Sequence, residues 1–205
     1  MSEVVLIDMG CGNTASVMFA LERLGARAFI SSDAGEIASA PRAILPGVGA
    51  AGPAMARLRE RGLDLVVRDY PRPLLGICLG MQVLFEHSEE QDTPCLGLIS
   101  GRVGAIAPGA HGPSPHMGWN ALVHRKDDPL LIGIDEGAYA YFVHGFGAAQ
   151  SPASLALADY GGRWSAVVRQ GLVWGCQFHP ERSGEVGARI LENFLNLQEG
   201  ERASC

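Results

Sequence analysis

Leu74-Leu75-Gly76-Ile77-Cys78-Leu79-Gly80-Met81-Gln82 decides how this chain is read. Leu74 to Ile77 is an apolar run of strand length, and from Leu79 to Phe85 the apolar residues fall at helical spacing. A strand that runs straight into a helix, with glycine on both sides of the corner residue, has the G-x-nucleophile-x-G form of a nucleophile elbow. The turn leaves no room for a Cβ at the flanking positions, which accounts for Gly76 and Gly80. It lifts the Cys78 sulfur out of the sheet and sets it over a helix N-terminus, whose partial positive charge suits an anionic nucleophile. The backbone N–H of Leu79 then points at any oxyanion formed on the attacked carbonyl. Most free cysteines are small buried hydrophobes. The strand, the glycines and the helix in register favour catalysis for Cys78, whereas Cys11, Cys95, Cys176 and Cys205 lack that setting and keep the plain reading.

On the N-terminal side of the elbow, short apolar runs alternate with helical patterns. Val4–Ile7, Phe29-Ile30 and Ala43–Leu45 read as strands. Asn13 suits the cap of a helix carrying Val17, Leu21 and Leu24 and stopped by Gly25, and Pro53 suits the first turn of a helix running to Arg61. On the C-terminal side the rhythm changes. Gly161-Gly162 and Gln170-Gly171 separate the runs Leu155–Tyr160, Arg163–Arg169 and Val173–Phe178, which predicts an antiparallel meander. A last helix is predicted over Gly184–Leu197, and Pro108–Pro115 reads as an exposed loop. The expected fold class is α/β: a single domain, residues 1–198, with a mixed, largely parallel central sheet flanked by helices. Residues 199–205 are expected to fray.

The bulk properties fit one such domain. The chain has 205 residues, 47% hydrophobic and 19% charged, with a net charge of −6 that offers no basic footprint for nucleic acid. No apolar run approaches the ~18 residues of a membrane span, and Met1-Ser2-Glu3 does not start like a signal peptide. Five cysteines without a C-x-x-C pair predict a reducing, cytoplasmic setting with neither a disulfide scaffold nor a zinc site.

A cysteine nucleophile needs a base, and six histidines are available. His179 ends an apolar strand in Cys176-Gln177-Phe178-His179-Pro180-Glu181. Two residues apart on extended chain, His179 and Glu181 point to one side, so the carboxylate can hold one ring nitrogen and leave the other facing a thiol. A surface His–Glu pair at a strand end is the plainer alternative. His144, in Tyr141-Phe142-Val143-His144, is the rival base but lacks a neighbouring carboxylate and suits a satisfied core position. His116 falls in the proline-rich loop, and His87, His111 and His124 read as solvated.

One other enzyme class has a foothold. Gly10-Cys11-Gly12-Asn13-Thr14-Ala15 follows the first strand, with Asp33 about 20 residues on, as in a dinucleotide-binding fingerprint. The match is loose, because Ala15 stands at the last glycine and Asp33 lies in a turn-like stretch, and an NAD-dependent oxidoreductase would leave Cys78, His179 and Glu181 idle. Gly47–Gly52 mimics a phosphate loop but lacks the following lysine.

Gly76–Gln82 and Gln177–Glu181 resemble the two signature blocks of the class I, triad-type glutamine amidotransferases. Asp8–Asn13 with Ser16-Val17, Pro46–Gly49, Pro115–Asn120 and Tyr141–His144 resemble one family within that class, the glutaminase subunits of imidazole glycerol phosphate synthase in histidine biosynthesis. The blocks span residues 8 to 183 in the family's order, and Pro115-His116-Met117-Gly118-Trp119-Asn120 is the most specific.

That resemblance implies roles. Cys78 attacks the side-chain amide of L-glutamine, with His179 and Glu181 completing the triad. Leu79 and Val48 supply oxyanion donors, the second from a peptide that Gly47 and Gly49 free to flip. Gly47, Gln82, Glu90 and the backbone of Gly145 and Phe146 hold the substrate; for Glu90 a solvated charge is the alternative. Asn13 and Arg182 meet a (β/α)₈ cyclase subunit in a heterodimer, and no metal or organic cofactor is implied. Gly145-Phe146 stands where the family has Ser/Thr-Tyr, Arg182 where it has Lys, and Thr14-Ala15 where it has Leu-Arg. A glutaminase subunit of another pathway, a stand-alone cysteine hydrolase and a catalytically dead subunit remain as alternatives.

Overall fold

The computed structural model describes residues 3–10, 14–109 and 111–197. The first half runs β1 (Glu3–Ile7), α1 (Thr14–Arg23), β2 (Arg27–Ser31), α2 (Ala34–Ser39), β3 (Ala43–Gly47), α3 (Ala51–Glu60), α4 (Leu63–Arg68), β4 (Leu74–Cys78) and α5 (Leu79–Gln82). There follow β5 (Phe85–Ser88), β6 (Thr93–Pro94), β7 (Ile99–Ala105), β8 (His116–Ala121), β9 (Val123–His124), β10 (Tyr139–His144) and β11 (Phe146–Ala148). The chain ends in β12 (Ser154–Asp159), β13 (Arg163–Gln170), β14 (Val173–Cys176) and α6 (Gly184–Asn196).

An eight-stranded sheet with the order β2-β1-β3-β4-β14-β13-β12-β9 forms the centre. From β2 to β14 neighbours are parallel, and from β14 to β9 they are antiparallel. The sheet is therefore mixed, as the change of rhythm in the sequence implies. Alternation along β1 covers both faces. Val4 and Leu6 pack with Leu21 of α1 and Phe194 of α6, while Val5 and Ile7 pack with Ile37 of α2 and Leu58 of α3. Two smaller sheets, β10-β8 and β11-β7-β5-β6, complete the fold.

Several expected elements differ in detail. The helix predicted from Leu79 to Phe85 stops at Gln82, because Phe85 opens β5 and pairs with Ile99 of β7. His116 is not in the proline-rich loop but begins β8, paired with His144 and only 3% exposed. Asp33, the proposed ribose ligand of the dinucleotide reading, instead caps α2 by accepting the backbone N–H of Glu36 at 2.9 Å. Asn13 and the tail 199–205 lie outside the described residues.

β4 sits between β3 and β14 with every residue buried, so its last residue, Cys78, emerges at the middle of the sheet edge. The one-turn helix α5 packs onto the strands at backbone distance. A Cβ on Gly80 would lie 1.7 Å from the carbonyl oxygen of Leu45, and one on Gly76 would lie 2.7 Å from the Gly80 backbone. Neither obstacle is a flexible side-chain end, so neither can yield. Gly80→Ala is expected to lower unfolding stability by about 3 kcal/mol or more. Gly25→Ala, where φ is +74° and nothing lies within 4 Å, should lose only about 1–2 kcal/mol. Chemical denaturation of the two variants checks this, and equal midpoints would contradict it.

Candidate active site

Cys78 is the junction residue, with φ 54° and ψ −111°. L side chains avoid this half of the conformational map at a cost of about 1–3 kcal/mol, and the surrounding sheet over-determines it here. The Cys78 Sγ lies 3.8 Å from the carbonyl of Val143 and 3.8 Å from Nε2 of Gln177. Because α5 is a single turn, its dipole is a small fraction of a full helix's, so the expected helix-terminus field is weak and the free N–H groups of the first turn remain.

His179 follows β14 in extended conformation, its N–H bonded to the carbonyl of Tyr141, with Ser183 Oγ donating to its own carbonyl. Its Nδ1 lies 2.9 Å from Oε1 of Glu181, and both side chains are buried. Glu181 Oε2 has no partner among the described residues, so the carboxylate acts on the imidazole alone. Burial by itself would lower the His179 pKa. Hydrogen bonds and charge from Cys78 and Glu181 overcome it and raise the value from 6.5 to about 10. A histidine held this way carries its proton at neutral pH and is set up as an acid towards a leaving group above Cys78.

A cavity of about 200 Å³ opens over Cys78 and His179. Val48, Leu79, Gln82, Glu90, Gly145 and Phe146 all line it. Gly47 pairs with Cys78 in the sheet, just beneath. The two glycines around Val48 serve different ends. A Cβ on Gly47 would meet Met9 Cε at 2.6 Å and Gly80 N at 3.2 Å, so Gly47 is required by packing. Gly49 has open space but a φ of +101°, so it is required by conformation. The expected freedom to flip therefore rests on Gly49.

Glu90 is not simply solvated. Its carboxylate accepts the N–H of Ala51, the first residue of α3, at 2.8 Å while still facing the cavity. The carbonyl of Gly145 already accepts from Ile106 N–H, and that of Phe146 accepts from Gln82 Nε2 at 2.8 Å. Any part these two residues play in holding a ligand therefore falls chiefly to their N–H groups. Arg182 is exposed in the turn that follows Glu181, outside the cavity.

The glutamine amidotransferase class-I family matches residues 5–197. The imidazole glycerol phosphate synthase subunit HisH of Xanthomonas axonopodis pv. citri is 54% identical over 197 residues, 96% of this chain and 98% of that protein. The subunit of the same name from Xylella fastidiosa is 52% identical over the same shares. The chain belongs to the class-I glutamine amidotransferases, in the group of HisH subunits. The solved structure of PurLQS from Thermotoga maritima shares the fold, with TM-score 0.71 at 21% identity over 96% of this chain and 99% of that one.

Within this site, the residue that sequence reasoning left without a role is Gln177. Its Oε1 accepts from Gln82 Nε2 at 3.1 Å and its Nε2 approaches Cys78, so it links the cavity wall to the sulfur. The sequence signal is slight: Gln177 and His179 stand two apart just after an apolar strand. His144 reaches the cavity wall but is buried and committed elsewhere, with its pKa lowered to about 4 mainly by burial.

Because the folded-state pKa of His179 is raised, its proton stabilises the fold fully below pH 6.5, and that contribution is lost as pH rises through about 10. NMR titration of the His179 ring should show it protonated across the neutral range. Cys78→Ala, which removes one of its two partners, should lower its pKa. A wild-type titration near 6.5 would contradict this arrangement.

Proposed function

We propose that this chain produces ammonia from L-glutamine at Cys78 and delivers it to a (β/α)₈ cyclase subunit. The observation that carries the reading is the juxtaposition of Cys78, on its constrained turn, with a histidine whose proton Glu181 and Cys78 jointly retain. The Cys78 sulfur adds to the carboxamide carbon of glutamine, and the carbonyl oxygen takes the negative charge, facing the N–H groups of Leu79 and Val48. The C–N bond then breaks, and the leaving nitrogen takes the His179 proton and departs as ammonia. Neutral His179 next removes a proton from water, the hydroxide adds to the thioester, and the C–S bond breaks to give the side-chain acid, which loses its proton to solvent as glutamate. The sulfur returns as the anion and His179 is again protonated. Gln82, Glu90, Gly47, Gly145 and Phe146 form the proposed glutamine subsite.

A partner is part of the same proposal, because ammonia released into water becomes ammonium, which has no lone pair for attack. Support comes from the face of β8 and β10 that points away from the core. Met117, Trp119 and Tyr139 are 63%, 55% and 59% exposed there, and Trp119 and Tyr141 touch edge to face across the strands. An exposed aromatic face of this kind suits a protein interface. Val48 and Arg182, also exposed, are proposed to meet the same partner, as is Asn13. A reducing cytoplasm, which preserves a free thiol nucleophile, is the proposed location.

The test is Cys78→Ser assayed with the cyclase subunit, supplied either with glutamine or with ammonium salts. Glutamine-dependent product should fall by several orders of magnitude, as with other nucleophile removals. Ammonium-dependent product should be unchanged, since the partner's site is untouched. Glutamine turnover that survives the substitution would remove Cys78 from the chemistry. Full glutamine hydrolysis by the isolated wild-type chain would favour a stand-alone hydrolase.

A further inference from the structure

Behind the cavity wall lies a chain of side-chain hydrogen bonds that the chemistry above does not use. His144 Nδ1 is 2.7 Å from the carbonyl of Phe146, and His144 Nε2 is 3.1 Å from His116 Nδ1. His116 Nε2 is in turn 3.3 Å from Asn120 Nδ2. The proton positions follow from both ends independently. Asn120 Oδ1 accepts the N–H of Ala121 at 2.8 Å and its Nδ2 donates to the carbonyl of Asp159 at 2.9 Å, so the atom facing His116 is a donor. His116 Nε2 must therefore accept, and its proton sits on Nδ1 and is donated to His144. At the other end a carbonyl can only accept, so His144 carries its proton on Nδ1 and presents a bare Nε2 to His116. The two assignments agree, and an added proton on either ring would set donor against donor.

The run ends on the Phe146 carbonyl, which is also the acceptor that orients Gln82. His116 is 3% exposed, does not line the cavity, and is clamped between the rings of Phe142 and Tyr160, with centroids at 5.0 and 4.0 Å. It is therefore the fixed member of the chain. We propose that His116 is a positioning residue for glutamine binding: it locks the His144 tautomer, which holds the Phe146 carbonyl where Gln82 must find it. The proposal rests on the assignment of Gln82 and Phe146 to the glutamine subsite. It also explains why His144, although at the cavity wall, is not the base. Its one unprotonated nitrogen is taken by the His116 N–H and does not face Cys78, and a neutral His144 adds no positive charge beside His179.

Two measurements test it. In the full chain with ring-¹⁵N-labelled histidine, NMR should find both His116 and His144 protonated on Nδ1 and bare on Nε2. An Nε2–H form of either ring overturns the chain of bonds, whatever the protein's activity. In the complex with the cyclase subunit, His116→Leu should raise KM for glutamine by about tenfold, the loss expected of one buried hydrogen bond, with kcat little changed. His116→Asn, whose amide nitrogen can stand in for Nδ1, should restore KM towards the wild-type value. An unchanged KM in His116→Leu, or equal damage in both variants, overturns the positioning role. Lack of glutamine turnover by the wild-type complex would instead sink the functional reading and leave the tautomer result standing.

Discussion

The backbone of Cys78, held at φ 54° where side chains other than glycine's are disfavoured, is the constraint from which the rest of the site follows. A residue there cannot continue the strand, so the chain must turn sharply off the sheet, and the turn projects the sulfur beyond the sheet edge. Keeping it there requires overdetermination. β4 is hydrogen-bonded on both sides, by β3 and β14, and α5 presses onto Leu45 so closely that Gly80 has no space for a methyl group. The same two neighbours of β4 deliver the other parts. β3 leads into Gly47-Val48-Gly49, and β14 leads into Gln177 and His179. One strained residue at the centre of a parallel sheet thus fixes where its flanking loops must converge, which is the general reason ligand sites collect at the C-terminal ends of such strands.

Two buried histidines that line the same cavity are driven in opposite directions. Burial opposes charge on both, but His179 faces Cys78 and Glu181 and is raised to about 10, whereas His144 bonds a carbonyl and a second neutral ring and falls to about 4, chiefly through burial. Environments that separate the proton affinities of like groups assign them separate tasks. The neutral ring is structural and the charged ring faces the sulfur. Charge on His179 in turn disfavours charge on His144.

Much of this was legible because the deciding constraints are local. A strand, two glycines and a following apolar turn describe the elbow without reference to the rest of the chain. The histidine and glutamate two residues apart do meet, but through a 3-10 turn over Pro180–Arg182 and not along the extended backbone that the sequence suggests. The mixed sheet was legible because parallel and antiparallel segments carry different spacing and turn residues. What was illegible depends on distant partners. Leu79–Phe85 has apolar spacing compatible with a longer helix, and only the pairing of Phe85 with Ile99 ends it. His116 follows a run of Gly, Pro and Ser and reads as loop, and its burial comes from β10, over twenty residues away. The bond from Glu90 to Ala51 joins residues 39 apart, so no local pattern announces it. The short helices α2 and α4 carry too few turns for periodicity to show.

Among the described residues one cysteine, selected by its backbone and not by sequence frequency, faces the site, and the chemistry stands or falls on that. The most direct measurement treats the chain with a glutamine-shaped electrophile, an amino acid carrying a chloroketone in place of the carboxamide, and maps the adduct by mass spectrometry. A single adduct is predicted on Cys78, with Cys95 and Cys176, both buried and with pKa raised by burial, left unmodified. An adduct on another cysteine in preference to Cys78, or no adduct at all, would contradict it.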